Sequence, residues 1–330
     1  MPARSEPSLQ ELAPFLIQPL FVSRVWGYRD LRPWYDYIVG PAAGDPVGEV
    51  WLTGDLCPVA TGRFAGRELG EVFAAVPAAM LGAGAPFPHS PLLVKVIFAR
   101  EKLSVQVHPD DDLAQKYGQP RGKTECWYAL SAEDGAQVAA GLKPGVTIEE
   151  VSEGIKLGML EQSLNVLQVK AGDMVFVDAG TVHAIWPGSI LLETQQNSDI
   201  TYRMYDYGRP RELHVEKSLE ATRLNTRAGL VPPRFEDDRT VLIDVEYFRV
   251  ERIRIEGNRA SASLPGNGES CDNLSYLFAA SGSARLEGSG WGIELPPRGI
   301  AAIPAAAPPF TIEDLGALDL IRISPRWPAL

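Results

Sequence analysis

Hydrophobic and polar positions alternate with period two over many short segments, and glycine and proline separate these segments. The clearest segments are residues 92–98, 103–107, 124–130, 164–169, 173–177, 190–195 and 199–207. Such lengths and boundaries predict antiparallel strands of a sandwich or barrel. Helical patterns are few, at residues 67–75, after Thr147 in a capping-box sequence, and at residues 212–222. Because strands and helices do not alternate regularly, we expect an all-β fold rather than a parallel doubly wound one.

The chain is expected to form two domains, 1–232 and 233–330. A polar stretch with two prolines at residues 226–240 indicates the boundary. Beyond it, segments such as 247–255 and 291–295 alternate again, and Gly288-Ser289-Gly290 predicts a hairpin turn. This second, smaller domain is therefore also predicted to be all-β. It contains no histidine, so we place any metal chemistry in the first domain.

Charge and cysteine usage exclude several classes of protein. The chain has 31 basic and 42 acidic residues, a net charge of −11, which argues against nucleic acid and anionic membranes as partners. Cys57, Cys126 and Cys271 lie far apart, so neither a disulfide framework nor a thiolate zinc site is indicated, and we expect buried filler. No signal-peptide pattern or membrane-spanning stretch is visible, so we expect a soluble cytoplasmic protein, a monomer or a small homo-oligomer.

Polar residues on three predicted strands carry the candidate chemistry. On a strand, Ser104, Gln106 and His108 share one face, while the valines between them face apolar packing. Such a polar face either lies at the surface or lines a polar cavity, because buried polar groups need partners. Lys123 and Glu125 share a face in the same way.

The third segment ends in a histidine. Residues 172–183 predict a strand, a glycine turn and His183 at the start of the next strand. Together, glutamine, histidine, glutamate and histidine from different antiparallel strands form a set that suits Zn²⁺, with other divalent ions also possible.

These segments carry a family resemblance. LSVQVHPDD, GKTECWY, AGTVHAI, QQNSDITYRMYDYGR and RELHVEKSLE occur in this order within residues 15–225. The chain thereby resembles the type I phosphomannose isomerases, cupin-fold zinc enzymes, in their short bacterial form. The spacing from Gly172 to His183 also resembles the second cupin motif. The resemblance implies a jelly-roll cupin domain followed by a smaller cupin-like domain.

The resemblance also implies a function and roles for residues. It implies a mannose-6-phosphate isomerase that interconverts mannose 6-phosphate and fructose 6-phosphate through an enediolate, with one zinc ion per chain. The implied zinc ligands are Gln106, His108, Glu125 and His183. Ser104 and Lys123 are implied to hold the phosphosugar, and Arg203 is implied to be the active-site arginine, with Lys123 and Arg203 catalytic.

Two departures from the family pattern bear on substrate range. Asp178 stands where the cupin motif usually has proline, and we expect it to change the loop before His183 and to add charge near the metal. Trp186-Pro187 follows where the family more often has glycine, and we expect the indole to narrow the mouth of the pocket.

The general base and two alternative functions remain open at this stage. Lys123, Lys217, His214 and Asp206 all suit the base chemically, although His214 is more simply a residue at a helix start and Asp206 an ion-pair partner of Arg209. Histidine and carboxylate ligands also suit an Fe²⁺-dependent cupin oxygenase. A sugar-phosphate-binding cupin without turnover is the other alternative.

Overall fold

The computed structural model describes residues 11–40, 44–82, 85, 88–236, 239–253, 255 and 273–327. Within these ranges the strands are, in chain order, β1 Phe15–Ile17, β2 Leu20–Tyr28, β3 Val47–Trp51, β4 Leu92–Phe98, β5 Val105–Val107, β6 Glu125–Ala132, β7 Gln137–Leu142, β8 Leu164–Gln168, β9 Met174–Val177, β10 His183–Ile185, β11 Ser189–Gln196, β12 Tyr202–Tyr205, β13 Gly229–Val231, β14 Arg234–Glu236, β15 Arg239–Asp244, β16 Phe248–Ile253, β17 Ser275–Gly288, β18 Trp291–Leu295, β19 Ile300–Ile303 and β20 Phe310–Pro325. The helices are α1 Leu69–Ala75, α2 Pro77–Leu81, α3 Asp111–Lys116, α4 Ile148–Leu157 and α5 Val215–Ala221, and a 3-10 helix spans Leu160–Ser163. The all-β expectation is confirmed.

The chain folds into two compact units. One consists of residues 21–51 and 92–232, and we call it the site unit. The other consists of residues 1–20, 52–91 and 233–330, and we call it the discontinuous unit. The assignment of residues 1–232 to a catalytic domain and of residues 233–330 to a smaller domain stays a prediction.

The site unit is a sandwich of two antiparallel sheets. A seven-stranded sheet has the order β13-β9-β6-β11-β4-β3-β2, and a five-stranded sheet has the order β12-β5-β10-β7-β8. Apolar side chains from the inner faces of both sheets form one core, in which Trp127 and Ile97 pack with Val138 and Ile185. Period-two alternation on each strand places these residues inward.

Helices cover the outer face of the five-stranded sheet. Val105 and Val107 of β5 belong to a second core with Val151 of α4 and Ala221 of α5. Helix α4 begins where the sequence predicts it, because Thr147 accepts a hydrogen bond from the Glu150 amide at 3.2 Å and the Glu150 carboxylate returns the contact. Because Val105 and Val107 point towards the helices, Gln106 between them faces the inside of the sandwich.

The discontinuous unit is built on an eight-stranded antiparallel sheet. Its order is β1-β19-β17-β20-β16-β15-β14, with β18 paired to β17. The predicted hairpin is confirmed, since Gly288 pairs with Trp291 across the turn. A core of residues such as Leu277, Leu286 and Leu320 packs on this sheet.

Two stretches form strands that the alternation pattern does not delimit. Residues 226–240 contain β13, β14 and the start of β15, which pair in two different sheets. Residues 275–288 form one long strand, β17, which continues through register shifts around Ser281 and Ser283. Gly282 has a φ of 66°, and the close approach of the Gly316 carbonyl leaves no room for a Cβ there.

Two further sequence expectations concern membranes and cysteines. In the described ranges, none of the helices is long and apolar enough to cross a membrane. Cys57 and Cys126 are buried free thiols, as expected. Burial raises the pKa of Cys57 to about 12, which is consistent with an unreactive packing role. Cys271 lies outside the described residues.

The core of the discontinuous unit provides a stability test. Phe278 is fully buried, whereas Phe235 is 70% exposed. We expect Phe278→Ala to lower the free energy of unfolding by about 3–5 kcal/mol, because it removes buried area and leaves a cavity. Phe235→Ala is the matched control, with an expected change within about 0.5 kcal/mol. Denaturant unfolding measures both, and similar effects for the two variants would contradict the assigned packing.

Candidate active site

The β5 segment carries three polar side chains of the candidate site. Gln106 lies on β5 between the buried Val105 and Val107, while Ser104 and His108 flank the strand and are buried. Ser104 Oγ donates a hydrogen bond to Gln106 Oε1 at 3.2 Å. The polar face predicted from the sequence is therefore directed into a cavity rather than to the surface.

Strand β10 brings His183 next to β5. His183 pairs with Gln106 in the antiparallel register. His183 Nδ1 lies 2.9 Å from the Thr181 carbonyl oxygen. A carbonyl only accepts, so Nδ1 carries the proton and Nε2 keeps a free lone pair. Nε2 lies 3.2 Å from Gln106 Nε2.

Glu125, the first residue of β6, completes a buried cluster with the two histidines. His108 Nε2 lies 3.4 Å from Glu125 Oε2, and His183 Nε2 lies 3.5 Å from Glu125 Oε1. Among the described residues, His108, Glu125 and His183 form a group whose donor atoms all lie within 4.8 Å of one another. His108 Nε2 and Glu125 Oε2 have no hydrogen-bond partner in the described ranges.

The donor set fits a divalent metal ion. Ligand atoms bound tetrahedrally at about 2.1 Å from zinc lie about 3.4 Å apart. Each histidine Nε2 lies at about this distance from one Glu125 oxygen, His108 from Oε2 and His183 from Oε1. Burial lowers the pKa of His108 well below its ordinary value and lowers that of His183 to about 4. Both imidazoles are therefore neutral near pH 7, the form that binds metal ions.

Five charged side chains follow one another across adjacent strands of the seven-stranded sheet. In strand order from β6 to β2 they are Glu125, Glu193, Lys95, Glu49 and Arg24. Lys95 Nζ lies 3.0 Å from Glu193 Oε1 and 3.6 Å from Glu49 Oε1. Arg24 Nη2 donates to Glu49 Oε2 at 2.8 Å. We call this set the charged row.

The charged row shifts the pKa values of its members. Burial alone would raise the pKa of Glu49, but Lys95 and Arg24 outweigh burial and hold it at about 2. Burial opposes the charge of Lys95, yet Glu193 and Glu49 raise its pKa. Burial and the nearby Glu125 carboxylate raise the pKa of Glu193. Lys95 thus stays protonated, and Glu193 takes up a proton more readily than Glu49 does.

A cavity of about 370 Å³ opens beside the cluster, inside the site unit. Its lining includes four of the residues singled out from the sequence, Ser104, Gln106, Lys123 and Arg203. Its remaining lining residues are Arg24, Trp26, Glu49, Lys95, Ile97, Leu103, Ile185, Glu193, Asp199, Thr201 and Arg211. Lys123 Nζ lies 3.3 Å from Glu125 Oε2, which connects the cavity wall to the metal-ligand candidates.

Arg203 and Arg211, two of the three arginines in the described lining of the cavity, lie next to each other. Arg203 Nη1 donates to the Glu212 carbonyl at 2.9 Å, and its buried Nε has no partner among the described residues. Burial and the adjacent Arg211 lower the pKa of Arg203. Arg211 donates twice to the buried Asp206 carboxylate, from Nε and Nη2 at 2.6 Å each. Two neighbouring guanidinium groups repel, so an anion between them is favourable.

Of the four candidate bases, Lys123 alone lines the cavity within the described part of the chain. Asp206 is an ion-pair partner, since Arg209 Nη1 also donates to it at 3.1 Å. His214 is the residue that precedes α5, as the simpler interpretation has it, and its Nδ1 accepts from the Arg203 amide at 3.1 Å. Lys217 Nζ lies 4.7 Å from the centre of the Tyr117 ring.

The two departures from the family pattern lie outside the described lining of the cavity. The Asp178 carboxylate accepts from the Thr181 hydroxyl at 2.9 Å and from the Arg227 amide at 3.2 Å. The Trp186 ring packs against Lys102, whose Nζ lies 4.7 Å from the ring centre. The expected narrowing of the pocket by Trp186 therefore has no support in the packing.

Comparisons with known proteins bear on the family. No family model matches the chain. The chain is 33% identical over 320 residues to the probable mannose-6-phosphate isomerase GmuF of Bacillus subtilis, covering 91% of this chain and 96% of the relative. It is 35% identical over 266 residues to mannose-6-phosphate isomerase ManA of the same organism, covering 76% of this chain and 81% of the relative. The chain belongs to the mannose-6-phosphate isomerase family.

A solved structure supports the same placement in this family. The structure of the mannose 6-phosphate isomerase from Bacillus subtilis superimposes with a TM-score of 0.82 at 29% identity, covering 95% of this chain and 99% of that one. The antiparallel sandwich is thus the cupin fold of the family, and the resemblance and fold class predicted from the sequence are confirmed.

Sequence reasoning missed most of the charged row and Arg211. Lys95 interrupts an otherwise apolar strand at residues 92–98, and Glu193 is the one charged residue of the strand at 189–196. A single charge on a strand buried along its whole length needs a partner or a polar cavity. That signal was available at both positions, and their register pairing across β4 and β11 is visible only in the fold.

Acid titration tests the charged row. The pKa of Glu49 is lower in the folded protein than in the unfolded chain. The charged carboxylate therefore stabilises the fold above its ordinary pKa of 4.5, and this stabilisation is lost as the pH falls towards about 2. We expect Glu49→Gln to lower the melting temperature near neutral pH and to show a smaller further loss than the wild type between about pH 5 and pH 3.

The control for this titration is Glu153→Gln, which changes an exposed carboxylate on α4. It should follow the wild-type melting curve throughout. Calorimetry at several pH values measures all three proteins. An acid-induced loss in Glu49→Gln as large as that of the wild type would contradict the assigned pKa.

Proposed function

We propose that the protein is a metal-dependent aldose–ketose isomerase that interconverts mannose 6-phosphate and fructose 6-phosphate. The observation that carries this proposal is the buried His108–Glu125–His183 cluster beside a cation-lined cavity, in a member of the mannose-6-phosphate isomerase family. The relatives' names supply the reaction, and the cavity has the charge that a phosphosugar requires.

Zn²⁺ is the metal ion that we propose, one per chain. His108, Glu125 and His183 would hold it with Gln106, whose amide needs only a half-turn to present its oxygen in place of its nitrogen. Nitrogen and carboxylate donors at tetrahedral spacing favour zinc over the octahedral oxygen sites of magnesium. A bound Zn²⁺ supplies a Lewis acid that polarises the sugar carbonyl and stabilises developing oxyanion charge.

We assign the cationic side chains of the cavity to two parts of the substrate, the phosphate and the oxygens on the reacting carbons. We assign the phosphate to Lys123 and Ser104, which offer a point charge and a hydroxyl. Arg203, with the Asp206-held Arg211 beside it, presents a fixed guanidinium to the oxygens that become charged during enolisation. Anchoring the distant phosphate aligns the carbons between which the proton moves.

The proton transfer between C1 and C2 needs a base at the cavity. Lys123 Nζ is buried at the wall next to Glu125, but we assign it to the phosphate at the other end of the sugar, so it is not also assigned as the base. Glu193 is the second titratable group at the wall that can hold a proton, with its raised pKa. Lys217 and His214 keep structural roles beside the site.

Location and assembly extend the proposal. A net charge of −11 supports an enzyme that acts on a small phosphosugar, without nucleic acid or membrane partners, and we propose that it acts in the cytoplasm. We propose a monomer or small homo-oligomer, with catalysis confined to residues 1–232, which hold all four histidines.

An isomerase assay tests the function. The purified chain should interconvert mannose 6-phosphate and fructose 6-phosphate and contain about one zinc ion per chain. A chelator should abolish turnover, and added Zn²⁺ should restore it. His183→Ala should lower kcat/KM at least about 100-fold, because a buried ligand is lost. His89→Ala, which changes an exposed histidine, is the matched control.

Three outcomes would reject this proposal in favour of another. Full activity after chelation and in His183→Ala would remove the metal from the mechanism. Iron in the native protein together with oxygen uptake would support the cupin oxygenase instead. Tight binding of mannose 6-phosphate by calorimetry with no isomer formed would indicate the non-catalytic binding protein.

Substitution of the active-site arginine gives a separate prediction. Arg203→Lys should lower kcat about 100-fold or more, because an ammonium group cannot reproduce the guanidinium fork at the developing oxyanion. Arg32→Lys, at an exposed arginine, should leave kcat and KM unchanged. Steady-state kinetics decides, and unchanged kcat with raised KM in Arg203→Lys would assign Arg203 to ground-state binding alone.

A further inference from the structure

The turn at residues 178–181 contacts each of the three segments that carry the candidate metal ligands. The Gly180 amide donates to the His108 carbonyl at 2.8 Å. The Ala179 amide donates to Thr124 Oγ1 at 3.3 Å, one residue before Glu125. These contacts connect one short turn to the segments of two ligands that lie on different sheets.

The same turn orients the third ligand. The Thr181 carbonyl accepts the hydrogen bond from His183 Nδ1 at 2.9 Å, which fixes both the ring orientation and the tautomer. Thr181 is 1% exposed, so the carbonyl belongs to a packed segment. A shift of this turn therefore moves the lone pair that faces Glu125.

Asp178 closes the turn from both sides. Its carbonyl accepts from the Thr181 amide at 3.1 Å, and its Oδ1 accepts from the Thr181 hydroxyl at 2.9 Å. Its Oδ2 accepts from the Arg227 amide at 3.2 Å, which anchors the turn to the segment before β13. The φ of 88° at Gly180 favours glycine, the residue with the most conformational freedom. The backbone of the turn is therefore not held in place by its own sequence and depends on these hydrogen bonds.

We infer that Asp178 is a positioning residue for the metal centre, which acts through Thr181 on His183 and through the turn on His108 and Glu125. A proline in this place restricts a turn by its ring, whereas Asp178 restricts it by accepting two hydrogen bonds with its carboxylate. The departure from the cupin pattern thus replaces one kind of restraint with another. The inference rests on the metal binding in the proposed function.

Zinc affinity measures this role directly. The full-length protein is loaded with Zn²⁺ and equilibrated against a chromogenic chelator. Asp178→Ala and Thr181→Val should each weaken Zn²⁺ binding about tenfold, because partners behind a ligand affect metal affinity by about 10–100-fold when removed. Both substitutions break the same hydrogen bond. The double variant should therefore bind Zn²⁺ no more weakly than the single variant with the larger loss of affinity.

Two controls separate positioning from general stability. Thr181→Ser keeps the hydroxyl and should bind Zn²⁺ like the wild type. Asp173→Ala removes another turn carboxylate, which accepts from the Lys170 amide at 2.8 Å at the opposite end of β9, and should also leave affinity unchanged. Melting temperatures of the metal-free proteins are recorded in parallel. A loss of affinity in Asp173→Ala equal to that in Asp178→Ala would assign the effect to stability and overturn the inference.

The remaining outcomes are also decisive. Wild-type affinity in Asp178→Ala would overturn the inference and leave the proposed function standing. A wild-type chain that binds no Zn²⁺ would overturn both. Should Asp178→Ala fail to fold, Thr181→Val decides, since it breaks the same bond from the other side and keeps the side-chain shape.

Discussion

The pairing of Lys95 with two carboxylates is the interaction on which the inside of the sandwich depends. An isolated buried charge is very costly, and a buried pair is tolerated only when its geometry is good and its remaining polar atoms find partners. Lys95 meets Glu193 and Glu49, and Arg24 closes the row at its edge. Apolar packing elsewhere between the sheets then leaves one polar region, and the candidate metal ligands lie at its end.

The site is built mainly on regular elements, which limits its freedom to rearrange. Gln106, Glu125 and His183 lie on three different strands. Sheet register pairs Gln106 with His183, and the packing of the two sheets brings Glu125 opposite them. Arg203 lies on β12, in register with Gln106. Groups held in this way need little reorganisation when charge develops on a substrate. Asp206 extends the same principle to Arg211, because it fixes a long side chain that would otherwise lose conformational entropy on binding.

Sequence reasoning reached the residues whose spacing carried local information. Alternation alone placed Ser104, Gln106 and His108 on one face, and the family resemblance joined them to Glu125 and His183. It did not reach the partners of Lys95, because the register of β4 against β3 and β11 is non-local. It found no alternation in residues 226–240, since β13 and β14 are only three residues long each and lie at or near the surface.

The strand that carries Gln106 has consequences beyond the cavity. It is three residues long, and its two valines pack in a core shared with α4 and α5. A change of volume in that core is relieved by movement of the strand, because packed interiors transmit strain rather than absorb it. The position of a candidate metal ligand therefore depends on packing on the opposite face of the sheet. Substitutions in two helices on the far side of the sheet are thus expected to affect the candidate site.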